Sequence, residues 1–178
     1  MKRIHCILWI ALLSLVGQPL AAQDYSKDAE TIEGVMAAIL DVISGPAGRT
    51  VDWDHFRYLF RGDAPLHIRA KRNDALTILA TSVEGYVKDI GPRIASQDFF
   101  ESIGSLTIDQ YADIAQVFMV YEARRSPAGE PFDRGINSFQ LIYDEGRWWI
   151  ISLMWQAEST GVPIPARYLK KTRKQRRG

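Results

Sequence analysis

Two long runs of β-forming residues lie close together near the C-terminus of the chain. The stretch FDRGINSFQLIYDEGRWWIISLMWQAE, residues 132–158, is rich in Ile, Phe, Tyr and Trp on both sides of the short segment Asp144-Glu145-Gly146. β-rich runs separated by a short Gly-containing loop are typical of a β-hairpin. The sequence therefore predicts two long antiparallel strands joined by a three-residue turn. This hairpin constrains the fold more than the chemistry, because no residue pair in it forms a known catalytic motif.

The register of the predicted hairpin assigns its side chains to two faces. If Gly146 is left-handed, Tyr143 pairs with Arg147, and Asn137 shares a face with Trp149 and Trp155. We expect that face to form the core or a pocket. The opposite face is apolar as well and holds Ile136, Gln140, Ile142, Trp148, Ile150 and Met154. Because so much apolar surface is seldom left in water, we expect a two-fold homodimer through this face.

The N-terminus has the pattern of a secretory signal peptide. Lys2 and Arg3 precede the apolar run 6–16, which is followed by Pro19 and by Ala21-Ala22. The run is shorter than the roughly 20 residues that cross a bilayer as a helix. We therefore expect cleavage after Ala22 and export to a periplasm or to the outside of the cell. The alternative is an uncleaved anchor at the membrane surface.

Removal of residues 1–22 leaves a chain of single-domain size that contains no cysteine, since Cys6 lies in the signal peptide. Neither a disulfide framework nor a thiolate metal site is therefore expected. Six basic residues follow within 170–177, whereas the body from 23 to 169 holds 14 basic and 21 acidic residues. We expect residues 161–178 to form an extended, basic, disordered tail. The leading expectation is a solvated tail without a function, and weak contact with anionic lipid is the alternative. Nucleic acid is not expected as a partner of an exported protein.

Helical patterns come first in the remaining sequence and strand patterns come last. The predicted order is a helix over 24–44, a helix from 51 capped by Thr50, a strand over 65–72, a helix from 82 capped by Ser82, and strands over 99–108 and 112–124. This segregation predicts an α+β domain over 23–160, in which helices pack on one face of a curved antiparallel sheet.

The order of these elements, the stretch WDHFRYLF after the first helix and the closing FQLIYDEGRWWIISLMW resemble the nuclear transport factor 2-like, or SnoaL-like, superfamily. The resemblance covers residues 28–158 and concerns a fold more than an active site. It implies a cone-shaped α+β domain, a pocket between the concave sheet and the N-terminal helices, and frequent homodimers.

Some members of that superfamily isomerise ketosteroids or close polyketide rings. There a carboxylate moves a proton while a tyrosine or an acid stabilises the enolate oxygen, and burial of the acid raises its pKa toward the working pH. The resemblance therefore makes candidate acids of Asp113, Glu122 and Glu158, with Tyr86 and Tyr121 as candidate hydrogen-bond donors. For Glu122, the alternative is a surface ion pair with Arg124 or Arg134.

Two groups of residues are candidates for ligand binding. Glu122, Arg124, Arg134 and Asn137 lie on neighbouring strand segments, where a guanidinium could bind a ligand carboxylate. The alternative is a cross-strand ladder of ion pairs. The second group is Trp53, Phe56, Phe60, Trp149 and Trp155, which could line a pocket or fill the core. His67 faces either solvent or the cone.

The sequence contains no HExxH motif and no Asp-rich calcium loop, so no metal is expected, and it has no nucleotide or flavin signature that would imply a cofactor. Three functions remain open. The first is the binding of a small apolar or amphipathic molecule in the cone without catalysis. The second is a cofactor-free isomerase, dehydratase or cyclase. The third is an assembly module that holds a partner in the cell envelope.

Overall fold

The computed structural model describes residues 23–169 and shows an α+β domain built on one six-stranded sheet. The predicted signal peptide and residues 170–178 of the predicted tail lie outside the described residues. The strands are β1 (Pro65–Arg72), β2 (Ala75–Ser82), β3 (Phe100–Tyr111), β4 (Ile114–Arg124), β5 (Asp133–Asp144) and β6 (Arg147–Ala157). They lie in the order β2-β1-β6-β5-β4-β3. All neighbours are antiparallel except β1 and β6, which are parallel. The predicted fold class is confirmed.

The helices precede the long strands and cover one face of the sheet. A 3-10 turn (Ser26–Ala29) leads into α1 (Ile32–Ile43), and α2 (Trp53–Tyr58), α3 (Val83–Gly85), a π-helical turn (Tyr86–Ile90) and α4 (Gly91–Ala95) follow. The Thr31 hydroxyl caps α1 by accepting from the Gly34 amide at 3.0 Å. Asp52, and not the predicted Thr50, caps α2 by accepting from the His55 amide at 3.0 Å. Within residues 23–169, no helix is long and apolar enough to span a membrane.

The core lies between α1 and the concave face of the sheet. The apolar side of α1, which includes Val35, Met36 and Ile39, is buried against side chains such as Met119 and Phe139 from the central strands. Burial of side chains of this size stabilises a fold by about 1.5–3 kcal/mol each. The spacing of three and four along α1 therefore fixes which face of the helix meets the sheet.

The second strand is missing from the sequence prediction, which assigned no element to residues 73–81. β2 pairs with β1 through a turn in which Asn73 and Asp74 have φ of 47° and 61°. Two positive φ values are the signature of a type I′ hairpin turn, and Asn and Asp tolerate them best after glycine. The helix predicted from Ser82 begins at Val83 and continues beyond Gly91-Pro92, because Pro92 falls in the first turn of α4 and interrupts no helical hydrogen bond there.

The turn of the closing hairpin is shorter by one residue than the sequence prediction. Asp144 pairs with Arg147, and only Glu145 and Gly146 lie between them, with φ of 53° and 81°. Farther along, Gln140 pairs with Ser152 but Leu141 pairs with Ile150, so Ile151 is a β-bulge. Because the turn is shorter, the β6 residues between the turn and the bulge face the opposite side of the sheet from the predicted one. Beyond the bulge, the β6 residues face the predicted side again.

This reversal corrects the placement of three residues. Trp148 and Ile150, predicted for the outer face and a dimer contact, are buried in the core. Trp149, predicted for the cone, pairs with Ile142 and packs at the surface beside Arg61 and Arg147. Trp155 lies beyond the bulge and faces the cone as predicted.

Residues 161–169, the first part of the predicted tail, pack against the outer face of the sheet. The ring of Tyr168 stacks on Phe118 of β4 at 5.4 Å between centroids, and the Tyr168 carbonyl accepts a hydrogen bond from Ser105 of β3. Ile164 is buried in the same segment. We call residues 161–169 the C-terminal strap. It leaves an apolar groove of about 590 Å³ between itself and the outer side of β1, β5 and β6.

Candidate functional site

A cavity of about 230 Å³ lies inside the cone, between the helices and the concave face of the sheet. α1 and α4 form one wall with aliphatic side chains, and the strands form the other with aromatic ones. Most of the surface is apolar. The apolar lining consists of Ile39, Leu40, Ile43, Phe56, Ile90, Ile94, Phe99, Ala123, Phe132, Phe139, Leu153 and Trp155.

Five polar side chains interrupt this lining. Tyr86, Glu101, Tyr121, Asp133 and Asn137 come from the π-helical turn and from three adjacent strands, β3, β4 and β5. They influence one another electrostatically, because the carboxyl of Glu101 acts on both tyrosines and that of Asp133 acts on Glu101 and Tyr121. We call these five residues the polar cluster.

Glu101 is held in the cone by the residues around the start of β3. The Ser44 hydroxyl at the end of α1 accepts a hydrogen bond from the Glu101 amide at 2.9 Å. Gly45 forms an isolated bridge with Phe99, two residues before Glu101. Glu101 also pairs with Ala123, whose side chain lines the cavity. The alternation of the strand then directs the Glu101 side chain inward.

Burial in this apolar surrounding raises the pKa of the Glu101 carboxyl to about 7. Loss of hydration disfavours the charged carboxylate, and the nearby charge of Asp133 acts in the same direction. A hydrogen bond with the Asn137 side chain opposes both effects but is weaker than desolvation. Near neutral pH, therefore, Glu101 can both accept and release a proton.

The two tyrosines of the cluster are held by close packing. Tyr86 stacks on Phe56 at 5.1 Å between ring centroids and meets Trp155 edge-on at 6.2 Å. The Tyr121 ring lies over Gly135, where a β-carbon would come within 2.7 Å of the Tyr121 hydroxyl. Desolvation is the main cause that raises the pKa of both phenols, so both remain protonated donors at physiological pH.

Five of the candidate site residues predicted from the sequence line the cavity. Tyr86 and Tyr121 from the catalytic set line it, together with Phe56, Asn137 and Trp155 from the ligand-binding set. Trp53 lies behind this lining, edge-on to Tyr86 at 6.5 Å, and Phe60 is buried in the core against Phe56.

The candidate acids lie elsewhere. Asp113 is exposed in the turn between β3 and β4. Glu122 forms an ion pair with Arg124, and Glu158 forms one with Arg134, at a polar cleft whose lining shares Phe132 and Asp133 with the cone. The Arg134 guanidinium is the main cause that lowers the pKa of Glu158. Glu122 and Glu158 are therefore placed as partners of arginine, as the ion-pair alternative for Glu122 predicted.

His67 lines the outer groove, where it pairs with Met154 across the parallel strands. It therefore does not line the cone. Among residues 23–169, no group of three or more His, Cys, Asp or Glu side chains is arranged to hold a metal ion.

Glu101 and Asp133 line the cone but were not among the residues predicted from the sequence. Glu101 falls in the stretch Phe99-Phe100-Glu101-Ser102-Ile103, in phase with Phe99 and Ile103. An acid on the apolar side of a predicted strand is the signal that could have identified it, because strands direct alternate residues to the same face. Asp133 carried no comparable signal, since it lies at the junction of a loop and a strand.

The sequence matches no family model, and no curated protein matches it. Solved structures of similar shape do exist. A protein of unknown function with a cystatin-like fold from Nostoc punctiforme is 11% identical at a TM-score of 0.55, covering 71% of this chain and 87% of its own. A nuclear transport factor 2-like protein from Pseudomonas putida is 11% identical at a TM-score of 0.54, with 82% of this chain and 94% of its own covered.

A nuclear transport factor 2-like protein from Shewanella baltica is 17% identical at a TM-score of 0.50, and the match covers 76% of this chain and 98% of its own. Identities this low carry information about the fold and not about the chemistry of the site. The six-stranded sheet, the helices over its concave face and these matches agree. The chain therefore has the nuclear transport factor 2-like fold.

Proposed function

We propose that the protein binds a small, largely apolar molecule in the cone, with the polar end of that molecule at the polar cluster. The observation that carries the proposal is the 230 Å³ cavity itself, which is apolar except where Tyr86, Glu101, Tyr121, Asp133 and Asn137 meet. Ligand sites typically combine an apolar lining with a few convergent polar groups, which orient the ligand.

The volume of the cavity limits the size of the ligand. An apolar cavity of roughly 150 Å³ accommodates benzene, and most sites for drug-sized ligands exceed about 300 Å³. A cavity of about 230 Å³ therefore suits a molecule of one or two rings. A four-ring steroid would require movement of the helices away from the sheet.

Binding can be tested by filling the cavity. Ala123 lines the cone, so Ala123→Leu is expected to reduce the affinity for one- and two-ring ligands by about tenfold or more without unfolding the protein. Ala80→Leu, on the exposed edge strand β2, makes the same chemical change outside the cone and is expected to leave binding unchanged. The measurement is a thermal-shift screen of such compounds, followed by titration. Equal affinity in both variants would place the ligand outside the cone.

A second candidate function is cofactor-independent proton transfer, such as an isomerisation or a dehydration. The observation that favours it is Glu101, whose pKa of about 7 is suited to removing a proton next to a carbonyl group. A phenol of Tyr86 or Tyr121 would donate a hydrogen bond to the developing enolate oxygen. In an isomerisation, the proton taken by Glu101 would then return to another carbon of the same molecule. In a dehydration, it would protonate the departing hydroxyl group, which leaves as water.

Proton transfer predicts exchange of carbon-bound hydrogen in D₂O for a cyclic ketone that fits the cone. We expect NMR to show exchange in the wild-type protein and a rate at least ~100-fold lower in Glu101→Gln, because an amide cannot act as the base. Glu122→Gln, which changes an acid outside the cone, is the control. Unchanged exchange in Glu101→Gln would exclude this candidate.

We also propose that the protein acts outside the cytoplasm. The basis is the order of charged, apolar and small residues in positions 1–22. Fractionation of cells that express the full chain should recover the protein without its first 22 residues, with the new N-terminus at Gln23 identified by mass spectrometry. Recovery of the intact chain from the cytosol would contradict this proposal.

A further inference from the structure

The charged side chains that line the cone all have the same sign. Glu101 and Asp133 supply two carboxyl groups, and among residues 23–169 no lysine, arginine or histidine lines the cavity. An isolated carboxylate is costly to bury without a partner of opposite charge. The lining therefore lacks a cation that would balance its own charge.

The arginines near the rim bind other groups. Arg125 lies over the ring of Phe132 at 4.1 Å and donates hydrogen bonds to Gln97 and to the Asp98 carbonyl. Arg124 and Arg134 form ion pairs with Glu122 and Glu158 at the polar cleft. The sequence predicted that Arg124 or Arg134 could bind a ligand carboxylate. Neither guanidinium lines the cone, so a carboxylate bound there would have no arginine partner.

Aromatic residues line the same cavity as the two carboxyl groups. The lining contains the rings of Phe56, Tyr86, Phe99, Tyr121, Phe132 and Trp155. The face of an aromatic ring carries partial negative charge and attracts a cation within about 6 Å of its centre. Rings and carboxyl groups that line one cavity thus favour the same charge in a ligand.

The side chains of Tyr86 and Tyr121 are buried and line the cavity. The two residues are 7% and 6% exposed, so their phenol oxygens are available to a ligand only from inside the cone. A ligand N–H group could satisfy these oxygens, which are acceptors as well as donors.

We propose that the ligand of the cone is a small organic cation, a protonated amine on an apolar body of one or two rings. The ammonium group lies between the carboxyl groups of Glu101 and Asp133, and the apolar body extends among the aromatic rings toward α1. The inference rests on the proposed binding function and specifies the charge of the ligand.

The protonation of Glu101 couples this binding to pH. A bound ammonium favours the ionised carboxylate, so binding at neutral pH releases a proton from Glu101. The affinity for the amine should therefore fall as the pH falls below 7. From pH 8 to pH 6 we expect a loss of about tenfold, since roughly nine in ten Glu101 carboxyls are then neutral.

Three probes that share one ring test the charge of the ligand. Benzylamine, benzyl alcohol and benzoate are titrated into the full chain at pH 8 by calorimetry. We expect benzylamine to bind at least ~10-fold more tightly than benzyl alcohol, and benzoate at least ~10-fold more weakly than the alcohol.

Two variants test whether the carboxyl groups of Glu101 and Asp133 cause the preference for benzylamine. Glu101→Gln keeps the shape of the side chain and should reduce the preference for benzylamine over benzyl alcohol to about two- to threefold or less, since Asp133 remains. Asp133→Asn provides the same test at the second carboxyl and should also reduce the preference. Asp109→Asn, at an exposed position of β3, should leave it unchanged. Melting temperatures verify that each variant is folded.

The outcomes separate this inference from the proposed function. If benzyl alcohol binds in the cone and benzylamine binds no better, the cone binds small molecules but the inference about charge is wrong. Benzoate binding as tightly as benzylamine would also overturn it. If none of the three probes binds, both the proposed binding function and this inference fail.

Discussion

The carboxyl of Glu101 makes the stability of the fold depend on pH. Its pKa is about 7 in the folded protein, compared with 4.5 without the protein environment. Because the folded state binds this proton more tightly, the contribution to stability is complete below the unfolded pKa and is lost as the pH rises through 7. From pH 4.5 to pH 8, we expect the free energy of unfolding to decrease by up to about 3 kcal/mol from this group. Urea unfolding at several pH values measures it.

The variant Glu101→Gln isolates that contribution. Without a titrating group at this position, the decrease between pH 5 and pH 8 should largely disappear, and at pH 8 the variant should be more stable than the wild-type protein. Glu122→Gln should retain the decrease, because Glu122 pairs with Arg124 outside the cone. An unchanged decrease in Glu101→Gln would show that this carboxyl is not buried in the folded protein.

The same residues show how far a sequence can predict the site. Phe56, Asn137 and Trp155 were predictable because an aromatic ring or an amide in a patterned element stands out by residue type, whereas Tyr86 and Tyr121 became candidates through the family resemblance. The acids Glu101 and Asp133 were harder to predict as site residues, since an acid on a strand normally faces water. Only the placement of α1 and α4 over β3 makes the face of Glu101 the dry one, and that placement depends on contacts distant in sequence.

At the scale of single elements, a buried arginine supports the start of β6. The Arg147 guanidinium lies 3.5 Å from the ring centres of both Tyr58 and Trp149 and donates to the Tyr58 carbonyl. Arg147 thereby connects α2 to β6. A desolvated cation–π contact contributes about 2 kcal/mol, and the aliphatic part of arginine adds apolar packing. We expect Arg147→Ala to reduce the free energy of unfolding by about 2–4 kcal/mol.

A second arginine on the same tryptophan provides the control. Arg61 lies over Trp149 at 4.8 Å and pairs with Asp144 and Glu145, but it is exposed. Exposed ion pairs contribute little because water and salt screen them, so Arg61→Ala should cost less than about 1 kcal/mol. Chemical denaturation of the two variants measures both losses in the free energy of unfolding. Similar losses for both would mean that burial of Arg147 does not determine its contribution.

The hairpin shows why element type is easier to predict than register. Alternation of β-branched and aromatic residues identified both strands correctly, and β1 was predicted with its observed bounds. The faces of Trp148 and Trp149 depended on a turn of two or three residues and on one bulge. Neither changes the composition of the strands, yet each moves every following side chain to the other face.

For the whole molecule, we propose that a second copy of the chain binds to the outer face of the sheet. Met154 is 50% exposed and Ile78 is 63% exposed there, beside the groove that the C-terminal strap borders. Apolar surface of this kind favours association, and a two-fold axis would bring the same groove together from both copies. Trp148 and Ile150 are buried in the core and cannot take part in the dimer contact. The expected contact therefore lies closer to β1, β2 and the C-terminal strap.

We therefore expect the protein to be a dimer in solution at micromolar concentration, and Met154→Asp to make it a monomer. A carboxylate at the centre of an apolar contact would be buried without a partner and should weaken association by about 2–5 kcal/mol, which is more than ~20-fold in the dissociation constant. Met154→Leu keeps the apolar surface and should remain a dimer. Sedimentation velocity over a range of concentrations distinguishes these outcomes.

Because Met154 lines the outer groove and not the cone, both variants should keep the ligand affinity of the wild-type protein. A wild-type monomer throughout that range, or a dimer that Met154→Asp leaves intact, would exclude this face as the interface.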